Sequence, residues 1–191
     1  SSGLKLDERG YVTVDGYGRT NLDGVWALGD ITPGHALAHR AFEQGITIAE
    51  KIAGADPKPV IDDTVPQVVF SFPEAASVGL TLDQAKARED VVEPKETAYP
   101  MLSNARMLMS GEGGSMTVVS GAFANNPDMQ VVLGVHIVSP IASDLIAEAE
   151  QLVGNRVPLA DAARLIHPHP TFSETLGEAL LKADGRPLHT R

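Results

Sequence analysis

The stretch Gly54-Ala-Asp-Pro-Lys-Pro-Val-Ile-Asp-Asp-Thr-Val-Pro66 constrains this chain more than any other. Its prolines and aspartates read as a linker, so regular structure has to stop before it and restart after it. The 191 residues therefore divide into a short opening third and a longer remainder. At about 100–200 residues per domain, that length allows one domain or two small ones. Ser1-Ser2-Gly3 are small and read as a loop or a truncated edge, with no initiator methionine before them. Glu8-Arg9-Gly10 makes a turn, Tyr11–Val14 alternates like a strand, and Val25–Leu28 forms a second short strand ending in Gly29-Asp30. Leu37, Ala41, Ile48 and Ile52 then fall near helical spacing, with Gly54 as the stop. The opening segment is expected to pack irregularly, being short for a self-sufficient domain.

Beyond the linker the pattern changes to strands, at Gln67–Ser71, Ser77–Leu80, Val91–Tyr99, Ser115–Phe123 and Val131–Val138. The last two are joined through a hairpin loop at Asn125-Asn126-Pro127-Asp128. Thr81 reads as the N-cap of a helix running towards Glu89. Ile141–Val153 carries Leu145, Ala149 and Leu152 on one face, and Glu174–Leu181 forms a last helix. Antiparallel strands with helices set apart define an α+β fold, and no internal repeat is visible.

Composition removes several function classes. Hydrophobic residues are 43% and charged ones 21%, with 18 glycines and 13 prolines, which is a globular rather than a low-complexity balance. A net charge of −10 argues against a nucleic-acid partner, since phosphate-tracking surfaces are basic. No apolar run approaches the ~20 residues of a membrane span and no signal segment opens the chain, so the expectation is a cytoplasmic protein without a membrane partner. With no cysteine, the chain holds neither a disulfide nor a thiolate nucleophile nor a redox dithiol of its own.

Two constellations carry chemistry. Val25-Trp26-Ala27-Leu28-Gly29-Asp30, followed by Leu37-Ala38-His39 at a helix start, presents a carboxylate and a set of backbone N–H groups. The competing reading is a turn aspartate followed by an ordinary helix. His167-Pro168-His169-Pro170-Thr171-Phe172-Ser173-Glu174 pins His169 between prolines, with Glu174 placed to fold back on it. A histidine held by a carboxylate is a general acid–base arrangement, yet Thr171-Phe-Ser-Glu174 also fits a helix capping box. The two coexist where each carboxylate oxygen takes one role. His167 and His169 lack a convincing third metal ligand. His35, His136 and His189 each stand alone in the sequence and read as surface or satisfied core histidines. Met101, Met107, Met109 and Met116 read as packing residues, Gly111–Gly114 as a turn, and Glu43, Glu148 and Glu150 as solvated helix charges.

The ordered set Arg19-Thr20, Trp26–Asp30, Leu37-Ala38-His39, Pro73-Glu74, Val78-Gly79, Leu133-Gly134 and His169-Pro170-Thr171 resembles the flavoprotein disulfide reductases along nearly the whole chain. Within them, His167–Glu174 together with Gly177-Glu178-Ala179 and Gly185-Arg186-Pro187-Leu188-His189 is most similar to the dihydrolipoyl dehydrogenases. The resemblance implies a carboxyl-terminal piece. Residues 1–62 would be the partial return of an FAD-binding domain and residues 63–191 the interface, or dimerisation, domain. The Gly-x-Gly-x-x-Gly turn and cysteine pair of the family are not in this sequence. By resemblance Asp30 meets the FAD ribityl chain, Leu37, Ala38 and His39 lie beneath the flavin, and His169 is the acid–base oriented by Glu174, acting across a two-fold interface. Arg40 stands where many members have lysine. The implied parent oxidises protein-bound dihydrolipoamide to lipoamide with FAD and a redox disulfide, reducing NAD+. Its partners are a second copy of itself and the lipoyl domain of a 2-oxo acid dehydrogenase complex. The piece alone is expected to be inactive and to hold no FAD tightly. The alternatives are a non-catalytic dimerisation module, or a piece of a glutathione- or mycothione-type reductase. A dimer is expected through Ile141–Val153 and Leu176–Leu181, whose apolar residues exceed what a core of ~130 residues readily buries.

Overall fold

A computed structural model describes residues 3–190; Ser1, Ser2 and Arg191, and with them the reading of the first two serines, lie outside the described residues. The chain forms two compact units, Ser1–Val65 and Pro66–Arg191.

In the first unit the two expected strands do not form. Tyr11–Val14 contributes only an isolated bridge, Leu6 to Val12, and Val25–Leu28 only one, Arg19 to Trp26. Local side-chain bonds outcompete the ladder: Asp7 Oδ1 accepts the amides of Arg9 and Tyr11, and Asp15 Oδ1 those of Tyr17 and Arg19, all at 2.9 Å. Each such pair bends the backbone into a turn, and an extended run cannot propagate between them. The helix is as expected, α1 at Ala38–Ile52, but its buried face is not. Arg40, Thr47 and Ile48 face inward, while Phe42, Ile46 and Ile52 are exposed.

The second unit is a five-stranded antiparallel sheet in the order β1-β2-β5-β4-β3, from β1 Gln67–Val69, β2 Glu74–Gly79, β3 Val91–Pro100, β4 Ser115–Phe123 and β5 Asn126–Ser139. Its helices are α2 Leu82–Ala87, α3 Ala105–Ser110, α4 Ala142–Gly154, α5 Leu159–Ala162 and α6 Glu174–Ala183. The α+β architecture is the one the strand and helix pattern implies. Thr81 caps α2 in a reciprocal capping box with Gln84. The β4–β5 turn is tighter than expected: Phe123 pairs with Asn126, leaving Ala124-Asn125 as a two-residue turn and drawing Asn126–Asp128 into β5. Pro94 is tolerated because β3 is an edge strand, and it sits beside a register break between Val92 and Lys95 where Glu93 takes φ 51°.

One sheet face, with Val78, Tyr99, Met116, Val118, Val135 and Ile137, packs against α4 and α6. The opposite face holds a smaller cluster of Leu80, Val91, Val119, Val131 and Leu133 beneath Ala85 of α2. The crossover of β5 from one face to the other is made at Leu133: Val119 pairs with Gly134 and Ser120 with Val132, so Leu133 is skipped and the alternation reverses. The apolar residues of α4 and α6 are thereby used up in the core, with Leu145, Ile146, Ala149, Leu152, Leu176 and Leu180 all buried. They are not the surplus surface the sequence suggests. The exposed apolar residues are others, including Val69, Phe70, Phe72, Met109 and Ile166. Met101, Met107 and Met116 fill the core, but Met109 does not.

Candidate active site

After α5 the chain runs without regular structure from residue 165 to 172 and enters α6 at Glu174. That entry decides the site. Glu174 turns back over the helix start, and its two oxygens separate two tasks. Oε2 accepts the Thr171 amide at 2.7 Å, and Oε1 lies 2.9 Å from His169 Nδ1. The capping and imidazole-orienting readings of Glu174 are thus present in one side chain. The box is one-sided, however. The Thr171 hydroxyl donates to the Pro168 carbonyl at 2.6 Å and lies 3.0 Å from Ser173 Oγ, instead of capping α6.

Burial of Glu174 works against its charge, but the Thr171 amide and then His169 outweigh it and hold the carboxyl below the usual glutamate range. Facing an ionised carboxylate, His169 Nδ1 must donate, which leaves Nε2 with the lone pair in the neutral ring. The ring is 72% exposed, so Nε2 is accessible to a substrate.

Two residues close this site that sequence reading does not reach. Asn104, buried ahead of α3, accepts the Arg106 and Met107 amides and donates Nδ2 to the Thr171 carbonyl at 3.0 Å. Glu148, read as a solvated charge, instead bonds His167, Oε1 to Nε2, at 2.8 Å. His189 is an exposed histidine whose Nδ1 lies 2.7 Å from Glu178 Oε1. His136 is a satisfied histidine, 3.1 Å from the Leu80 carbonyl. Tyr99 lies beneath α6, its hydroxyl buried without a hydrogen-bond partner among the described residues, and burial with the nearby Glu178 and Glu174 pushes it up to about 12. Among the described residues no cluster of three or more His, Asp or Glu is arranged to hold a metal.

The opposed shifts of Glu174 and His167 give a testable pH dependence. The Glu148 bond, against burial, raises His167 above 6.5, so its stabilisation is complete below 6.5 and lost as pH rises through the raised value. Glu174, lowered from 4.5, stabilises above 4.5 and loses this as pH falls through the lowered value. Thermal unfolding followed against pH is expected to be highest between these two limits, and His167→Gln to remove the fall on the alkaline side.

The other predicted site residues belong to the first unit. Asp30 lies in a 3-10 turn, Gly29–Ile31, with its side chain exposed. Gly29 takes φ 72° and donates its amide to Gln44 Oε1 at 2.9 Å, which ties this turn to α1. Leu37 precedes α1 as its N-cap without a capping side chain, and Ala38 and His39 form its exposed first turn. Arg40, 6% exposed, reaches Asp62 Oδ1 with Nε at 2.7 Å and the Pro33 carbonyl with Nη2 at 2.7 Å. The planar guanidinium presents both donors in a fixed fork, a geometry that a lysine ammonium lacks. It lines a cavity of about 340 Å³ with Asp15, Gly18, Thr32, Gln44 and Thr47.

A five-stranded antiparallel sheet together with a His–Glu pair at the start of the last helix defines a class. Residues 65–180 match the dimerisation domain of the pyridine nucleotide-disulphide oxidoreductases, and residues 1–45 match the pyridine nucleotide-disulphide oxidoreductase domain itself. The chain belongs to this family. Its similar relatives include the dihydrolipoyl dehydrogenases of Cupriavidus necator, 41% identical over 98% of this chain, and Bacillus subtilis, 38% identical over 96%. The chain spans 38% of the length of each. Among solved structures, LpdA from Mycobacterium tuberculosis superposes with a TM-score of 0.84 at 31% identity, covering 95% of this chain and 38% of that one. The flavoprotein disulfide reductase RclA from Escherichia coli shares the fold at a TM-score of 0.78 and 22% identity.

Proposed function

We propose that this chain is the acid–base and interface portion of a dihydrolipoyl dehydrogenase. The observation that carries the reading is the His169–Glu174 pair, with Nδ1 engaged and Nε2 exposed. A thiol attacks a disulfide only as thiolate, so oxidation of a dihydrolipoyl group needs a base poised at the sulfur. His169 Nε2 takes the proton as the S–H bond breaks, and Glu174 stabilises the imidazolium that results. On the return step the same nitrogen gives the proton back.

The first unit fits a flavin in two respects: Asp30 offers an exposed carboxylate to sugar-type hydroxyls, and the uncapped start of α1 offers backbone N–H groups and the positive end of a helix dipole. Asp30, Leu37, Ala38 and His39 would hold FAD there. FAD, when bound, supplies the electron relay between a redox disulfide and NAD+. The substrate class is a lipoyl group on its carrier domain within a 2-oxo acid dehydrogenase complex, and the setting is the cytoplasm. Among the described residues no helix is long and apolar enough to cross a membrane. The test is dihydrolipoamide-dependent NAD+ reduction by the full-length protein. Reduction of glutathione disulfide at the expense of NADH or NADPH, without dihydrolipoamide oxidation, would reassign the substrate, and no activity in either assay would favour a non-catalytic assembly module.

A second copy of the chain is the partner that the exposed apolar side chains fit. Phe70, Phe72 and Ile166 are 79, 83 and 97% exposed, and Ile166 lies three residues from His169. A two-fold interface covering them would place the acid–base loop beside the neighbouring copy and give two equivalent sites. Light scattering of the 191-residue chain at micromolar concentration is expected to show twice the 20.2 kDa chain mass. Phe72→Asp should shift it to the monomer.

A further inference from the structure

His167 is the most enclosed histidine of the acid–base loop. Its side chain is 9% exposed, and its Nε2 is bonded at 2.8 Å to Glu148, which α4 supplies from nineteen residues earlier. On the other side α6 comes so close that a Cβ placed on Gly177 would lie 2.6 Å from His167 Nδ1 and 2.9 Å from Cε1. Glycine at 177 is what lets α6 admit the ring. The carboxylates of Glu148 on α4 and Glu174 on α6 both face His167 and favour its charged form. A second anchor lies beyond His169: the Thr171 amide is held by Glu174, its carbonyl by Asn104 and its hydroxyl by the Pro168 carbonyl. Between the anchors lie Pro168, His169 and Pro170. The pyrrolidine rings fix φ at two of these three residues, so His169 alone keeps a soft φ. Clamping both ends of so short and stiff a segment leaves the His169 ring little freedom to turn away from Glu174.

We propose that Glu148 and His167 are positioning residues, a clamp between α4 and the acid–base loop that holds His169 on Glu174 and fixes the direction of its outer nitrogen. As a statement about order in the loop the proposal stands on the geometry alone; as a statement about catalysis it rests on the acid–base reading of His169. A largely buried ion pair adds little net stability over apolar packing. Removing one partner of a buried pair lowers the melting temperature whatever its role, so the readout that distinguishes a clamp is local order in the loop.

The first measurement is hydrogen exchange by NMR on the 191-residue chain, comparing Glu148→Ala, Glu148→Gln and Gly177→Ala. Glu148→Ala removes the clamp's acceptor. Gly177→Ala displaces the His167 ring without touching either acid, and alanine favours helix at that position. In both, the Thr171 amide and the His169 Nδ1 proton are expected to exchange at least about tenfold faster, while β4 and β5 amides keep their protection. Glu148→Gln, which retains the bond but not the charge, should fall between them and the parent chain, and it carries the comparison if Glu148→Ala does not fold. Unchanged exchange at Thr171 and His169 in a folded Glu148 variant and in Gly177→Ala overturns the clamp. The second measurement is kinetic, in the full-length protein: Glu148→Ala should lower kcat for dihydrolipoamide with little change in KM and displace the pH profile, with partial rescue by glutamine. His169→Gln run alongside separates the failures. If it retains full activity, the acid–base reading falls while the exchange result stands. If it is inactive and Glu148→Ala matches the parent in rate and pH profile, the catalytic clamp falls alone.

Discussion

Replacing His169 by glutamine in the full-length protein is expected to lower the rate of dihydrolipoamide oxidation by about 10²–10⁴-fold, the range that a positioned general base contributes. Glutamine is the informative choice. Its amide can still donate to Glu174 Oε1, now 2.9 Å from Nδ1, so the start of α6 and the Thr171 cap remain intact. What is lost is a nitrogen able to take a proton near neutral pH, and the effect should therefore fall on kcat with little change in KM. Glu174→Ala should combine two losses. It removes the counter-charge of the imidazolium and strands the part-buried Thr171 amide, so its kinetic deficit should come with measurable destabilisation. Glu174→Gln separates them, since its side-chain oxygen can keep the amide bond while the charge disappears. Full activity of His169→Gln across the pH range would end the acid–base assignment.

The pairing of His169 with Glu174 was legible because its information is local. Two prolines, a histidine and a glutamate five residues on lie in one short stretch that runs into α6, and the two carboxylate oxygens let the cap and the imidazole bond share a residue. Glu148 and Asn104 were not legible because their partners are 19 and 67 residues away, and only the packing of α4 and α3 brings them to the loop. A glutamate on an amphipathic helix reads as solvated until something is known to lie above it. The failed strands of the first unit have a related cause. Alternation at Tyr11–Val14 is real, but Asp7 and Asp15 bend the chain on either side through their own amide bonds, a preference that alternation does not report. On α1 the apolar spacing was correct and the burial was not: Arg40 turns inward to Asp62 while Phe42 stays exposed.

The other motifs that tie the chain to its family are explained by the sheet, not by chemistry, and one of them yields the largest expected loss of stability. Glu74, beside Pro73, accepts the Ser143 amide at 2.8 Å and so fixes the start of α4. That bond holds the Glu74 carboxyl below its usual range. Gly79 and Gly134 are register partners in β2 and β5, at the place where Leu133 is skipped and β5 changes face. The Leu80 amide donates to the Leu133 carbonyl at 2.8 Å, which draws the two backbones together until neither glycine can carry a side chain. A Cβ on Gly79 would overlap the Leu133 carbonyl oxygen, and one on Gly134 would overlap that of Leu80. Gly79 also takes φ 79°, where an L-residue is strained. Gly79→Ala is therefore expected to cost about 2–5 kcal/mol, from left-handed strain together with overpacking against backbone that has no rotamer to yield. Gly134→Ala, which meets the overlap without the positive φ, should cost less. The urea midpoint of the second unit is the measurement. A value for Gly79→Ala equal to that of the unsubstituted chain would mean that the strands can separate at this point. In that case the switch of face at Leu133 would not be what holds the Leu80 and Leu133 cluster beneath α2.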